Sequence, residues 1–219
     1  MLTLQSISKK YGNQQILKNV DFSIGQKEFI SIVGKSGVGK TTLLSILAGL
    51  VKPDEGKIFF ENEEITNFNE EQLANFRLLN IGIVFQDFKI IPSLSVFNNV
   101  YLALYPRKDI VKGKKAEMVE NIIGLVGLKH KLSEIVDNLS GGEKQRVAIA
   151  RSLVGQPKLI LADEPTGNLD ETTSETIMNL FQKLYQELST SFIIITHDND
   201  IAKKTQKIYQ LTNHNLEIL

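Results

Sequence analysis

Eight consecutive residues carry a recognisable chemistry in their spacing. Gly34-Lys35-Ser36-Gly37-Val38-Gly39-Lys40-Thr41 fits the pattern G-x-x-x-x-G-K-[ST]. Glycines let a backbone curl around phosphate oxygens with its amide N–H groups turned inward. A helix opening at Lys40 adds the positive end of its dipole to the same point. Lys40 is then placed to reach β- and γ-phosphates, and the Thr41 hydroxyl to ligate Mg²⁺. Gly34, Lys35, Ser36, Gly37, Val38, Gly39 and Thr42 complete the expected cradle.

A second constellation lies far along the chain, where the apolar run Leu159-Ile160-Leu161-Ala162 ends in Asp163 and Glu164. Consecutive strand residues face opposite sides, which predicts separate tasks for the two acids. Asp163 suits the Mg²⁺ shell. Glu164 suits polarising an attacking water as general base. Alone, two acids at a strand end read as a solvated turn. Behind a phosphate loop they read as half of a nucleoside triphosphate hydrolysis site.

Such groups need elements to hold them. Glu28 to Val33 predicts the strand before the phosphate loop, and Thr41 to Leu50 the helix after it, ended by Gly49 and Pro53. Leu2, Leu4 and the alternation over Ile16 to Ile24 predict edge or antiparallel β-structure, and Lys57 to Glu61 a further strand. Between about residues 66 and 140 the pattern is mostly helical, with amphipathic helices over Glu70 to Leu79 and Ala116 to Val126 and a short strand over Ile81 to Phe85. A helix from Gly142 to about Val154 follows. Then come a strand over Lys158 to Ala162, a helix over Thr172 to Leu188, a strand over Ser191 to Thr196 and a short β-rich tail. Strands alternating with helices imply a parallel α/β core.

Composition narrows the setting. The 219 residues are 42% hydrophobic and 23% charged, the profile of one globular domain rather than a disordered chain. Lys+Arg and Asp+Glu are equal at 25 each, which argues against a nucleic-acid partner. The basic run Arg107, Lys108, Lys112, Lys114 and Lys115 reads as a solvated loop and helix start in preference to a patch for anionic lipid headgroups. With no Cys, disulfides and thiolate metal sites are excluded. The N-terminus has no signal-peptide pattern, and no window approaches the roughly 18 uninterrupted apolar residues of a membrane helix. A membrane role would therefore come through a partner.

One further segment restricts the kind of hydrolase. Leu139-Ser140-Gly141-Gly142-Glu143 resembles the LSGGQ signature of ABC ATPases, with Glu143 at the position where Gln is the consensus and Glu a frequent variant. Gly-Gly before a helix start presents amides and a Ser hydroxyl to an anion. The plainer alternative is a Ser N-cap on an ordinary helix. Other positions are similar to further motifs of that family, in family order. Tyr11 resembles the aromatic that stacks on adenine. Gln86 resembles the glutamine that ligates Mg²⁺ or the water and senses the transmembrane partner. His197 resembles the switch histidine at the γ-phosphate. Asn168-Leu169-Asp170 resembles the loop that crosses the dimer interface. His130 and His214 match no motif and are expected at the surface.

The resemblance implies an α/β fold: a P-loop NTPase core with an ABC-type antiparallel β-subdomain and an inserted α-helical subdomain. The core and β-subdomain would occupy 1–85 and 157–219, and the helical part about 87–155, all within one ABC ATPase domain. It implies ATP and Mg²⁺ as cofactors. The composite site would draw Lys40, Thr41, Gln86, Asp163, Glu164 and His197 from one copy, and Ser140, Gly141, Gly142, Glu143 and Asp170 from a second. Partners would be a second copy of the chain and an integral membrane permease, without nucleic acid. The location would be cytoplasmic, peripheral on the inner face of the cell membrane. Two phrases, Phe85 to Val100 and Ala162 to Asp170, resemble the LolD/MacB/FtsE group, whose machines export or extract lipoproteins, peptides or drugs. An amino-acid-type transporter ATPase is the alternative. A non-transport ABC ATPase and a small-molecule kinase are less in keeping with the single cassette and with residues 139–143.

Overall fold

A computed structural model describes residues 1–219. In chain order the elements are β1 (Leu2–Tyr11), β2 (Gln14–Ile24), β3 (Phe29–Val33), α1 (Lys40–Leu47), β4 (Glu55–Phe60), β5 (Glu63–Glu64), α2 (Glu70–Asn80) and β6 (Ile81–Val84). These are followed by α3 (Val96–Tyr101), α4 (Lys112–Leu125), α5 (Gly141–Leu153), β7 (Leu159–Asp163), α6 (Glu171–Glu187), β8 (Ser191–Thr196), α7 (Asn199–Ala202), β9 (Lys207–Thr212) and β10 (Asn215–Ile218).

The strands form two sheets. A six-stranded sheet runs β10-β9-β3-β8-β7-β6, parallel throughout except for the β9–β10 hairpin, and a four-stranded antiparallel sheet runs β2-β1-β4-β5. The parallel strands have both faces covered, which explains why they read as continuous apolar runs. Phe29, Ile160, Ala162, Phe192 and Ile194 enter one buried cluster with α3 to α6. Ile30, Ile32, Leu159, Leu161, Ile193 and Ile195 enter the other, with α1 and the inner face of the antiparallel sheet. The register aligns the strand ends: Val33 pairs with Thr196, Asp163 with Ile195, and Val84 with Ala162. All the residues that follow these strands therefore emerge at one edge, the carboxyl edge where open α/β sheets bind ligands.

Several expected boundaries shift for identifiable reasons. β1 and β2 are antiparallel as expected, with β2 at the sheet edge and β1 between β2 and β4. α1 stops at Leu47 rather than Leu50 because Gly49 turns left-handed, with φ 64°. Its amide closes on Ile46 O at 3.0 Å, and that of Leu50 on Ser45 O at 2.8 Å. α4 begins at Lys112 rather than Ala116, so the basic run forms its first turn. That run is not wholly solvated. Lys115 is buried with Nζ donating to Tyr105 O, and Arg107 forks onto Asp109 while also donating to Gly155 O.

α3 was not foreseen, being too short to show a period. It is capped by Ser95 and stitched down by the buried Asn99, whose amide donates to Ile91 O, Leu94 O and Ser95 O. His130 and His214 are exposed, as expected. No helix is long and apolar enough to cross a membrane.

Candidate active site

The site is assembled around the start of α1. Gly39 occupies the N-cap with φ 113°, and Gly37 has φ 77°, conformations that L side chains rarely adopt. A Cβ on Gly39 would also stand 2.7 Å from Ile16 Cγ2. Because its N-cap is glycine, α1 has no side-chain acceptor for its first-turn amides. By contrast α2, α3, α5, α6 and α7 are each capped by a side-chain oxygen, from Asn69, Ser95, Ser140, Asp170 and Asp198. The residues bearing the open amides of α1 line a cavity of about 600 Å³ together with Ser36, Gly37, Gln86, Asp163, Glu164, His197 and Ile16.

Lys40 is buried, and its ammonium donates to Gly34 O at 2.8 Å and Lys35 O at 3.2 Å while lying 3.7 Å from Glu164 Oε1. A phosphate in the loop would compete for the same three donors of the ammonium. The Thr41 hydroxyl donates to Asp163 Oδ2 at 3.1 Å. Burial raises the pKa of Asp163, and the neighbouring Glu164 carboxylate adds to this, against the Thr41 hydrogen bond and the Lys40 charge. A cation held by Thr41 and Asp163 would relieve that cost.

The two acids are separated by a turn and not by strand alternation, which corrects the expectation from sequence. β7 ends at Asp163, and Glu164 lies beyond it in the left-handed region, with φ 46°. Its carboxylate is thereby set between two bases: Oε1 toward Lys40, and Oε2 3.0 Å from His197 Nδ1. The backbone N–H of His197 also donates to Oε2, at 3.4 Å.

Gln86 closes the fourth side. Its amide donates to Asn168 Oδ1 at 3.1 Å, and Asn168 Nδ2 returns a bond to Gln86 O at 3.2 Å. The turn after Gln86 contains two left-handed residues, Phe88 and Lys89, whose carbonyls are both clamped by the Arg151 guanidinium. Sequence reasoning did not single out Ile16, Arg151 or the role of Asn168 as partner of Gln86. Only Asn168 carried a signal, by lying within the Ala162 to Asp170 phrase.

The remaining predicted residues stand apart from the cavity. Gly34, Lys35 and Val38 form the loop itself without lining it, and Gly34 must be glycine because a Cβ would meet Leu211 O at 2.7 Å. Tyr11 ends β1 half-exposed, with Lys9 Nζ 5.6 Å from its ring centroid. Ser140, Gly141, Gly142 and Glu143 open α5 elsewhere on the molecule, with Ser140 and Glu143 engaged in a reciprocal capping box. Glu143 Oε2 accepts from Ser140 N at 2.9 Å and Ser140 Oγ at 3.0 Å, and Lys131 Nζ lies 2.6 Å from Oε1. Lys131, then the Ser140 donors, pull the Glu143 pKa down to about 2. Asp170 caps α6 through Thr173, whose N–H and hydroxyl donate to it at 3.0 and 2.6 Å.

The donor set fits a triphosphate with a hard cation. The chain offers no group of three or more His, Cys, Asp or Glu side chains that could hold a metal by themselves. One hydroxyl and one carboxylate at the mouth of an anion cradle match a cation bound together with substrate phosphates.

Known proteins resemble this chain over most of its length. The family described as ABC transporter matches residues 17–167. The chain is 40% identical to the lipoprotein-releasing system ATP-binding protein LolD of Idiomarina loihiensis, over 97% of this chain and 95% of that protein. It is also 40% identical to the ABC transporter ATP-binding protein YtrE of Bacillus subtilis, over 90% of this chain and 84% of that protein. Among solved structures, it is similar to a dimeric, post-hydrolysis state of the ATP-binding cassette MJ0796 bound to ADP and phosphate. That match has a TM-score of 0.87 and 36% identity, and covers 99% of this chain and 97% of that one.

Proposed function

This chain belongs to the ABC transporter family as an ATP-binding, ATP-hydrolysing cassette, and from that premise we propose that it works as an ATP-sandwiched homodimer docked on membrane subunits. In this reading it powers export or extraction of lipoproteins, peptides or drugs at the inner face of the cell membrane. The observation that carries it is a split among the expected residues: Lys40, Thr41, Gln86, Asp163, Glu164 and His197 line the cavity at α1, whereas the 140–143 segment and Asp170 lie outside it. A second copy, turned head to tail, would supply Ser140, Gly141, Gly142, Glu143 and Asp170 to the open side, in a two-fold pair that buries two nucleotides. The LolD similarity supports the extraction branch, and the dimeric cassette structure supports the pairing.

In this proposal each residue has a stated task. The ammonium of Lys40 leaves the Gly34 and Lys35 carbonyls for the β- and γ-phosphate oxygens. The open amides of α1 hold the phosphates and fix their orientation. Thr41 and Asp163, with Gln86, would hold Mg²⁺, which supplies neutralisation of phosphate charge when bound. Glu164 accepts a proton from the attacking water as the water oxygen bonds to the γ-phosphorus and the bond from that phosphorus to the bridging oxygen breaks, with ADP as the leaving group. His197 orients that carboxylate and donates toward the γ-phosphate. Tyr11 stacks on the base, at the outer end of the nucleotide. The helical lobe of about 87–155 then moves relative to the core of 1–85 and 157–219, with Gln86 at the junction.

Glu164→Gln tests the reading. With saturating Mg-ATP the variant should double in mass by light scattering. From detergent-solubilised native membranes it should capture a membrane protein with few spans and a large outer domain. A chain that stays monomeric sinks the sandwich, and recovery of a many-span permease moves the assignment to a conventional importer.

A further inference from the structure

Glu164 is held in an unfavourable conformation. A non-glycine residue in the left-handed region is strained and persists only where its surroundings over-determine it. This one also precedes a proline, whose ring further restricts the backbone before it. On one side the turn is pinned to the sheet, where Glu164 N donates to Ile195 O at 2.9 Å. On the other side Gly167 N donates to Glu164 O at 3.0 Å, and a side chain adds a further pin. Gln145, in the second turn of α5 and with no exposed surface, donates from Nε2 to Pro165 O at 2.6 Å. No backbone amide bonds to that carbonyl.

The same carboxamide leaves Oε1 buried with no hydrogen-bond partner. An unsatisfied buried acceptor is destabilising, and an apolar side chain of equal volume would avoid it only by leaving the Pro165 carbonyl without a donor. The Nε2 donor to the otherwise unbonded Pro165 carbonyl is the feature that an apolar residue lacks. We propose that Gln145 is a positioning residue for hydrolysis: it fixes the Pro165 carbonyl, and with it the left-handed Glu164, so that this carboxylate stays between Lys40 and His197. Because α5 begins at Ser140, the same bond ties the segment read as completing a second copy's site to this copy's own base. That last step rests on the composite-site reading above.

Gln145→Met keeps the volume and removes the donor. Its kcat should fall about 10- to 100-fold, the scale of a misplaced reacting group. KM and Mg-ATP affinity should stay within about twofold. An unchanged kcat, or an equal loss of affinity, overturns the proposal.

Mixed dimers locate the defect by single-turnover hydrolysis. Pairing Gln145→Met with Ser140→Ala should restore hydrolysis, because the Ser140→Ala copy brings an intact base and receives an intact 140–143 segment. Pairing Gln145→Met with Glu164→Gln should not restore it. The opposite pattern, or recovery in neither pair, overturns positioning of Glu164 within one chain. The control pair Glu164→Gln with Ser140→Ala tests the composite site itself. If that control fails to recover, the two-copy reading falls, and the kcat and affinity of the single variant alone decide the role of Gln145.

Discussion

Two helices in this protein carry glycines at their N-terminal ends, α1 at its N-cap and α5 in its first turn, and those first turns are capped in opposite ways. α1 starts at a glycine N-cap, leaves its amides without side-chain acceptors and faces a cavity lined by acids and a histidine. α5 starts at Ser140, and its own Glu143 closes back on the cap with Lys131 behind it. The local physics is shared, a positive helix end with inward amides. The difference is that α1 is built to be completed by a ligand, whereas α5 already carries an internal anion. An anion arriving at α5 must replace the hydrogen bonds that Glu143 now makes to Ser140. This end is therefore capped without nucleotide.

The comparison predicts different penalties at the two ends. The largest is at α1: Lys40→Ala should weaken Mg-ATP binding about 10- to 100-fold, the worth of one or two charge-assisted hydrogen bonds, measured by calorimetry. Full retention of affinity would break the assignment of α1 as the ligand-completed end. At α5, Ser140→Ala should cost stability in the absence of any nucleotide, by about 1 kcal/mol for a lost N-cap, read from urea denaturation. An apo stability equal to that of the parent would mean that Ser140 is as idle without ligand as the open amides of α1.

A pH profile sharpens the role of Glu143. Its pKa is depressed in the folded state to about 2 from an ordinary 4.5, chiefly by Lys131. The stabilisation is thus fully present above about pH 4.5 and is lost as pH falls toward 2, where the folded carboxylate also takes a proton. The stability gap between the parent and Glu143→Gln should accordingly be widest near neutral pH and close on acidification. A gap independent of pH would show that shape rather than charge holds the cap.

Much of the site was legible because its parts are local. The spacing of Gly34 to Thr41 reports a backbone path of a single loop, and the apolar run before Asp163 reports a buried parallel strand; neither needs knowledge of distant neighbours. The order of elements also implies the parallel sheet, and a parallel sheet delivers Val33, Val84, Asp163 and Thr196 to one edge. The misses share one cause. The start of α4 depended on burying Lys115 against Tyr105, and α3 depended on Asn99 bonding carbonyls of the preceding loop. These are interactions across turns with no periodic trace.

The amino-acid sequence by itself thus determined the chemistry of each segment and the edge at which the catalytic segments meet. Residue type sets what a side chain can do, and strand alternation with helices sets the sheet. Only the tertiary structure decided how the groups are aimed. Glu164 faces Lys40 and His197 because of a left-handed turn that its own identity disfavours. That turn is held between Ile195 in the sheet and Gln145 in a helix remote in sequence. Strain of this kind is stable only when distant parts of the chain oppose it together, so it leaves no mark in any one stretch of residues.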